Sequence, residues 1–187
     1  MYKAIVIGTS FGGLEALKTI LPKFEKDFPL PLIVVLHIGA HSNDTFINYL
    51  NDVCQLVVKE AEGNEPVLPG HIYFAPPNYH LLIEDKHTFS LSIDEKLNFS
   101  RPSIDALFES AAWAYKNNLI GVILTGANSD GANGLKMIKS MGGKTIIQNP
   151  DNATAQVMPH FALKIAKPDI QLDLDEIADK LIELAHV

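Results

Sequence analysis

Lys3-Ala4-Ile5-Val6-Ile7-Gly8-Thr9-Ser10-Phe11-Gly12-Gly13 passes through three textures near the start of the chain. Residues 4–7 are a short apolar, β-branched run, a glycine-rich turn follows, and from Leu14 the apolar residues recur at helical spacing. The stretch predicts strand, tight turn, helix. Within the turn, Gly8-Thr9-Ser10-Phe11-Gly12 is a G-x-S-x-G pattern in the setting that pattern requires. A serine held there stands clear of the sheet at the strand's C-terminal end, facing unpaired N–H groups at the helix start. Ser10 is the candidate nucleophile, with Phe11 and Gly12 as candidates for the oxyanion site or the pocket. Two other readings stay open on this motif alone: the same N–H groups bind phosphates or dinucleotides, and a serine there also caps helices.

Outward from that turn, the chain has the composition of a globular protein: 187 residues, 47% hydrophobic and 20% charged. It predicts one domain over residues 1–187. Net charge is −7 and the Lys and Arg residues are scattered, which argues against a nucleic-acid or anionic-membrane partner. The single Cys54 excludes an internal disulfide framework and reads as a packing residue. With no basic leader and no apolar run near the ~20 residues of a spanning helix, the expectation is a cytoplasmic protein without membrane insertion.

Leu14, Leu17, Ile20, Leu21 and Phe24 mark one stripe of a helix ending before Pro29, and residues 31–37 form a continuous apolar strand. Strand, helix and strand make a right-handed βαβ unit, which brings His37, the last residue of the second strand, to the sheet edge that carries Ser10. His37 and His41 are spaced i,i+4, a weak metal pair because Gly39 interrupts the helix such a pair needs. Ser42 reads as the N-cap of the next helix. Residues 79–84 and 88–93 read as a hairpin covered on one face, an antiparallel edge on an otherwise parallel sheet. The polar segment 94–100 reads as a solvated loop. Ser103 reads as the N-cap of a strong helix, with Trp113 at the margin of its buried stripe.

Residues 119–125 are a third continuous apolar strand, opening into Gly126-Ala127-Asn128-Ser129-Asp130-Gly131 and a helix. Asp130 therefore shares the strand-end edge with Ser10 and His37, the edge where open α/β sheets place their sites. Alone it reads as a helix N-cap or an Asp-Gly turn. Jointly the three supply a nucleophile, a base and an orienting carboxylate on one rim. A strand at 143–148, a helix at 154–164 complicated by Met158-Pro159, a strand at 169–172 and a helix at 173–184 complete a doubly wound, mostly parallel α/β fold, a Rossmann-like three-layer sandwich.

The assembled residues resemble the catalytic domain of the CheB-type chemotaxis protein-glutamate methylesterases over nearly the whole chain. The resemblance rests on the 7–13 turn, His37, Pro69-Gly70-His71-Ile72-Tyr73-Phe74-Ala75-Pro76, Arg101-Pro102-Ser103-Ile104-Asp105, Leu124-Thr125-Gly126 with Asp130-Gly131-Ala132, Gly142-Gly143 with Gln148, and Met158-Pro159. It implies a Ser10, His37, Asp130 triad and hydrolysis of γ-glutamyl methyl esters on chemoreceptor cytoplasmic helices. Family members also deamidate receptor glutamines. No metal or organic cofactor is implied. Phe11 stands where the family usually has Thr, and Ala127 and Asn128 replace the Met-Gly of its Gly-Met-Gly. Ala127 remains an oxyanion candidate if only its backbone N–H is used. Family members commonly carry an N-terminal receiver domain, whereas this sequence begins at the first strand, so the expectation is control by a separate regulatory protein or constant activity. Two further readings are a non-catalytic receptor-binding adaptor with a modified pocket and a phosphate binder. The latter lacks a P-loop lysine and a G-x-G-x-x-G.

Overall fold

The computed structural model describes residues 1–37 and 43–186; the Ser42 cap and the His41 partner expected from the sequence lie outside them. In chain order the elements are β1 (Ala4–Thr9), α1 (Gly13–Ile20), β2 (Leu32–Leu36), α2 (Asn43–Val53), β3 (Val57–Glu60), β4 (His71–Phe74), β5 (His80–Ile83) and β6 (Phe89–Ser92). They continue with α3 (Ile104–Tyr115), β7 (Leu119–Ile123), α4 (Ala132–Ser140), β8 (Lys144–Gln148), α5 (Val157–Ala166), β9 (Ile170–Leu172) and α6 (Leu174–Ala185).

Seven strands form one sheet in the order β3-β4-β2-β1-β7-β8-β9, every pair parallel. The chain winds outward from β1 through β2 and later resumes at β7 on β1's other side, so the strand order reverses between β1 and β7. Such a reversal opens a crevice at the strands' C-terminal ends. Burial on both faces explains the uninterrupted apolar runs. Ile5 and Ile7 of β1 pack with α1, α2 and α6, while Ala4 and Val6 pack with α3, α4 and α5. At about 1.5–3 kcal/mol for each large side chain removed from water, these central strands anchor the loops that follow them.

The antiparallel hairpin is present, but β5 and β6 form a sheet of their own instead of extending the main one. Alternation in the sequence shows one covered face without showing what covers it. Here Leu81, Ile83 and Phe89 turn into the core beside α3, and Ser110 Oγ accepts from the Ile83 N–H at 3.1 Å. The free edge of β6 is taken by the loop between β3 and β4, with Asn64 N–H donating to Phe89 O (2.8 Å) and Phe89 N–H to Glu65 O (2.9 Å).

Two helices differ from the periodicity in extent. α1 stops at Ile20 because Pro22 turns Leu21–Lys23 into a 3-10 turn. α5 begins only at Val157, because the preceding residues pair with the end of β7: Gly126 N–H donates to Ala155 O at 3.1 Å. Pro159 therefore falls in the first turn, where its missing N–H costs nothing, and does not kink the helix. Cys54 packs against the core, and burial pushes its thiol up to about 11. No helix of the described residues is long and apolar enough to cross a membrane.

Candidate active site

The G-x-S-x-G turn grows directly out of the β1 ladder. β1 and β2 pair through Thr9 with Leu36, and the His37 N–H donates to Thr9 O at 3.1 Å, so Ser10 and His37 leave neighbouring strands side by side. On the other flank the Ser10 N–H donates to Thr125 O at 3.0 Å, and Gly13 N–H closes the turn on Ser10 O at 2.8 Å. Gly12 takes the N-cap of α1 at φ +81°, and a Cβ there would lie 2.7 Å from Thr154 Cβ. Only glycine relaxes that conformation. No side chain caps α1, so Ser10 is not a helix cap. Among the described residues no hydrogen bond engages the backbone N–H of Phe11, Gly12 or Ala127, the three oxyanion candidates.

Thr125 ties this turn to its surroundings. Its Oγ1 donates to Phe11 O (2.9 Å) and accepts from Ala155 N–H (2.8 Å), its N–H donates to Gln148 Oε1 (2.9 Å), and its carbonyl accepts from Thr9 Oγ1 (2.8 Å). The Thr125-Gly126 and Gln148 motifs thus act by fixing the Ser10 turn against β7.

Asp130 follows β7 and is fully buried, with its Oδ2 3.1 Å from His37 Nε2. The ring N–H does not point squarely at that oxygen, which leaves the nitrogen without an aligned hydrogen bond, so the contact in this state is chiefly electrostatic. Such bonds commonly align only when substrate is bound. Asp130 does not cap its own helix, since Gly131 holds the N-cap of α4 at φ +92°. Instead it caps α3. The N–H groups of Ile104 and Asp105, at 2.7 and 3.1 Å, donate to its carboxylate, as do Ser103 Oγ at 2.9 Å and Asn98 Nδ2 at 3.0 Å. Burial by itself would raise the Asp130 carboxyl; His37 and these donors outweigh it and hold the group below the ordinary carboxylate range. Asp105, 5% exposed, is pushed the other way, first by burial and also by the charge of Asp130.

Asn128 completes the setting of the imidazole. Its Oδ1 accepts from the Asp130 N–H (3.0 Å), and its Nδ2 lies 3.3 Å from His37 Nδ1. An amide donor on Nδ1 and a carboxylate beside Nε2 select the neutral tautomer protonated on Nε2. Nδ1 is then the lone pair available to Ser10. No hydrogen bond joins Ser10 Oγ to His37 among the described residues, so Asn128 occupies the acceptor that Ser10 would need. Releasing a neutral hydrogen bond worth about 1 kcal/mol corresponds to about fivefold in rate. Asn128→Gly is expected to raise kcat by about that factor and to cost about 1 kcal/mol of stability, because Asp130 N–H loses its acceptor. Steady-state kinetics with urea melts checks both; a lower kcat would make Asn128 a necessary positioning group.

The sequence reading found the three rim residues but not the second tier. Asn98 sits in the polar segment 94–100 expected only to solvate, yet its Nδ2 donates to both Asp130 Oδ1 and Asp105 Oδ2 at 3.0 Å. Ser103 is the N-cap of α3, as expected, and also a donor to Asp130. Phe11 is 65% exposed. A cleft of about 290 Å³ has His37 in its wall together with Asn78, Lys96, Phe99 and Arg101. A larger cavity of about 630 Å³ lies across α3, beside Trp113 and His80, and contains none of the three rim residues.

Comparison with known proteins gives a concordant result. Residues 5–181 match the family model for CheB methylesterase. A protein of Leptospira interrogans is 52% identical over 183 residues, covering 98% of this chain and 95% of its own, and its name provisionally gives protein-glutamate methylesterase/protein-glutamine glutaminase. The protein-glutamate methylesterase/protein-glutamine glutaminase 2 of Syntrophus aciditrophicus is 40% identical over 185 residues, 97% of this chain and 54% of that protein. The crystal structure of the Thermotoga maritima CheB methylesterase catalytic domain matches with a TM-score of 0.94 at 36% identity, over 98% of this chain and 99% of that one.

Proposed function

The chain belongs to the CheB methylesterase family, and from that membership we propose that it hydrolyses glutamyl methyl esters on chemoreceptors, with Ser10 as nucleophile, His37 as base and Asp130 as the carboxylate that orients it. The observation that carries this assignment is the buried Asp130 carboxylate, in the loop after β7, 3.1 Å from His37 Nε2 at the end of β2, the strand beside the one that leads into the Ser10 turn.

Ser10 Oγ attacks the ester carbonyl carbon while His37 Nδ1 takes its proton. The carbonyl oxygen becomes an oxyanion, which the free N–H groups of Phe11, Gly12 and Ala127 are available to stabilise. His37 returns the proton to the methoxy oxygen, the C–O bond breaks, and methanol leaves. Water, deprotonated by the same Nδ1, then attacks the acyl carbon; the bond to Ser10 Oγ breaks as His37 returns the proton to that oxygen, and the glutamate carboxylate is released. Asp130 stays ionised throughout and stabilises the imidazolium. Primary amides follow the same route with ammonia as the leaving group, so glutamine deamidation on the same receptors is part of the proposal.

The site of action that goes with this substrate is the cytoplasm, and a separate regulatory protein would act by covering or exposing this rim. The adaptor reading requires a blocked pocket, and the exposure of Phe11 together with the free N–H of Ala127 speaks against one. The deciding experiment measures volatile methanol from receptors carrying labelled methyl groups, with and without a serine-reactive organophosphonate. Methanol release blocked by a reagent that maps to Ser10 supports the reading, whereas release from a protein fully labelled on Ser10 removes it.

A further inference from the structure

We propose that the turn at residues 97–100 is the recognition tip for the protein substrate: Phe99 contacts the methylated helix, while Lys96 and Arg101 attract acidic residues beside the target ester. This rests on the methylesterase reading and adds to it the residues that would distinguish a receptor helix from a small ester.

The turn is built against its own stability. Leu97 N–H donates to Ser100 O (3.2 Å) and Ser100 N–H to Leu97 O (2.8 Å), with Asn98 at φ +50° and Phe99 at φ +64° between them. Two central residues at positive φ make the hairpin turn that favours Asn followed by Gly. Asn98 meets the first requirement; a phenylalanine at the second is strained. The same Phe99 is 97% exposed, so it gains nothing by burial. A residue unfavourable in both backbone and solvation is what a site retains for contact with something else.

Its position identifies that something. Phe99, Lys96 and Arg101 line the cleft that has His37 in its wall. Phe11, 65% exposed, follows Ser10 directly, so exposed aromatic surface stands next to both the nucleophile and the base. Asn98 fastens the tip to the catalytic carboxylate through its 3.0 Å bonds to Asp130 and Asp105, which holds Phe99 at a set distance from the chemistry. Arg101 Nη1 grips the carbonyls of Ile93 (2.7 Å) and Asp94 (2.9 Å), while its Nε is shut off from water without a partner. In a protein of net charge −7, two cations at this rim match an acidic partner, and every turnover of the proposed reaction leaves a glutamate there.

The test compares two esters: a methylated chemoreceptor cytoplasmic fragment and N-acetylglutamate γ-methyl ester α-amide. The readout is the ratio of kcat/KM for the fragment to that for the small ester. Phe99→Gly is expected to lower this ratio about tenfold while raising the thermal midpoint, since glycine relaxes φ +64°. Lys96→Glu is expected to lower the ratio and to flatten its decline with added salt. A ratio within twofold of wild type in Phe99→Gly overturns the recognition role. If the wild-type protein releases methanol from neither ester, the methylesterase reading fails, and the inference with it.

Discussion

Alanine in place of Ser10 is expected to lower methanol release from methylated receptors by roughly 10⁴-fold or more while leaving the fold intact. The two halves of that expectation have separate causes. Ser10 Oγ makes no hydrogen bond among the described residues, so its removal leaves no buried donor stranded and unfolding should shift by no more than about 0.5 kcal/mol. The turn itself is held by backbone bonds to Thr125 and Gly13, which alanine keeps. Activity falls because the neighbouring hydroxyl at the β1 end, Thr9 Oγ1, is buried and committed to Thr125 O at 2.8 Å. Methanol release and a urea melt on the same preparation test both halves. A variant with more than a few per cent of wild-type turnover would show that water, not serine, is the nucleophile.

Asp130→Asn should damage both properties together. Asparagine leaves His37 without the charge that stabilises its imidazolium and favours the wrong tautomer, a loss of about 10⁴-fold in kcat where such a triad has been dissected. It also places a neutral amide among four donors from Asn98, Ser103, Ile104 and Asp105. An NH₂ group cannot accept from them, and breaking a buried network of this kind costs about 3–5 kcal/mol. The pH dependence separates this from a generic packing defect. The folded-state pKa of Asp130 is depressed, so its stabilisation is fully present above the ordinary carboxylate range and is lost as pH falls through the folded value. The stability gap between wild type and Asp130→Asn should therefore be widest near neutrality and close in acid. Asp105 has the opposite sign: its raised pKa means that it opposes folding while charged, and less so once Asp130 no longer repels it. Denaturant melts from neutral pH down to pH 3 check the trend; a gap that stays constant would deny the carboxylate this role.

The rim of the site was legible because each of its residues lies just beyond the C-terminal end of a strand, or in the loop that follows it, and the burial of those strands on both faces is written in the sequence. Residues 4–7, 31–36 and 119–124 carry no polar side chain, and parallel strands of that kind all present their C-terminal ends to one edge. What surrounds Asp130 was not legible. Its donors lie 25 to 32 residues away, and one of them, Asn98, is a single amide in a segment of ordinary polar character. Local pattern carries no trace of such a bond. The Arg101-Pro102-Ser103-Ile104-Asp105 motif did mark the place, but as a helix start; that the helix start is capped by a carboxylate from the loop after β7 emerges only from the packing of α3 over β1 and β7. The hairpin was legible as a hairpin, but its separation from the main sheet was not, since alternation reports a covered face and is silent about the element that covers it.

Because the Asp130 carboxylate closes the first turn of α3 with both oxygens and faces His37 with one of them, Oδ2, that turn and the imidazole share one latch. Fraying of α3 at Ile104 and Asp105 frees the carboxylate to rotate, and rotation of the carboxylate exposes the helix start. Local melting at the start of α3 is therefore expected to loosen the carboxylate beside His37 without unfolding the sheet.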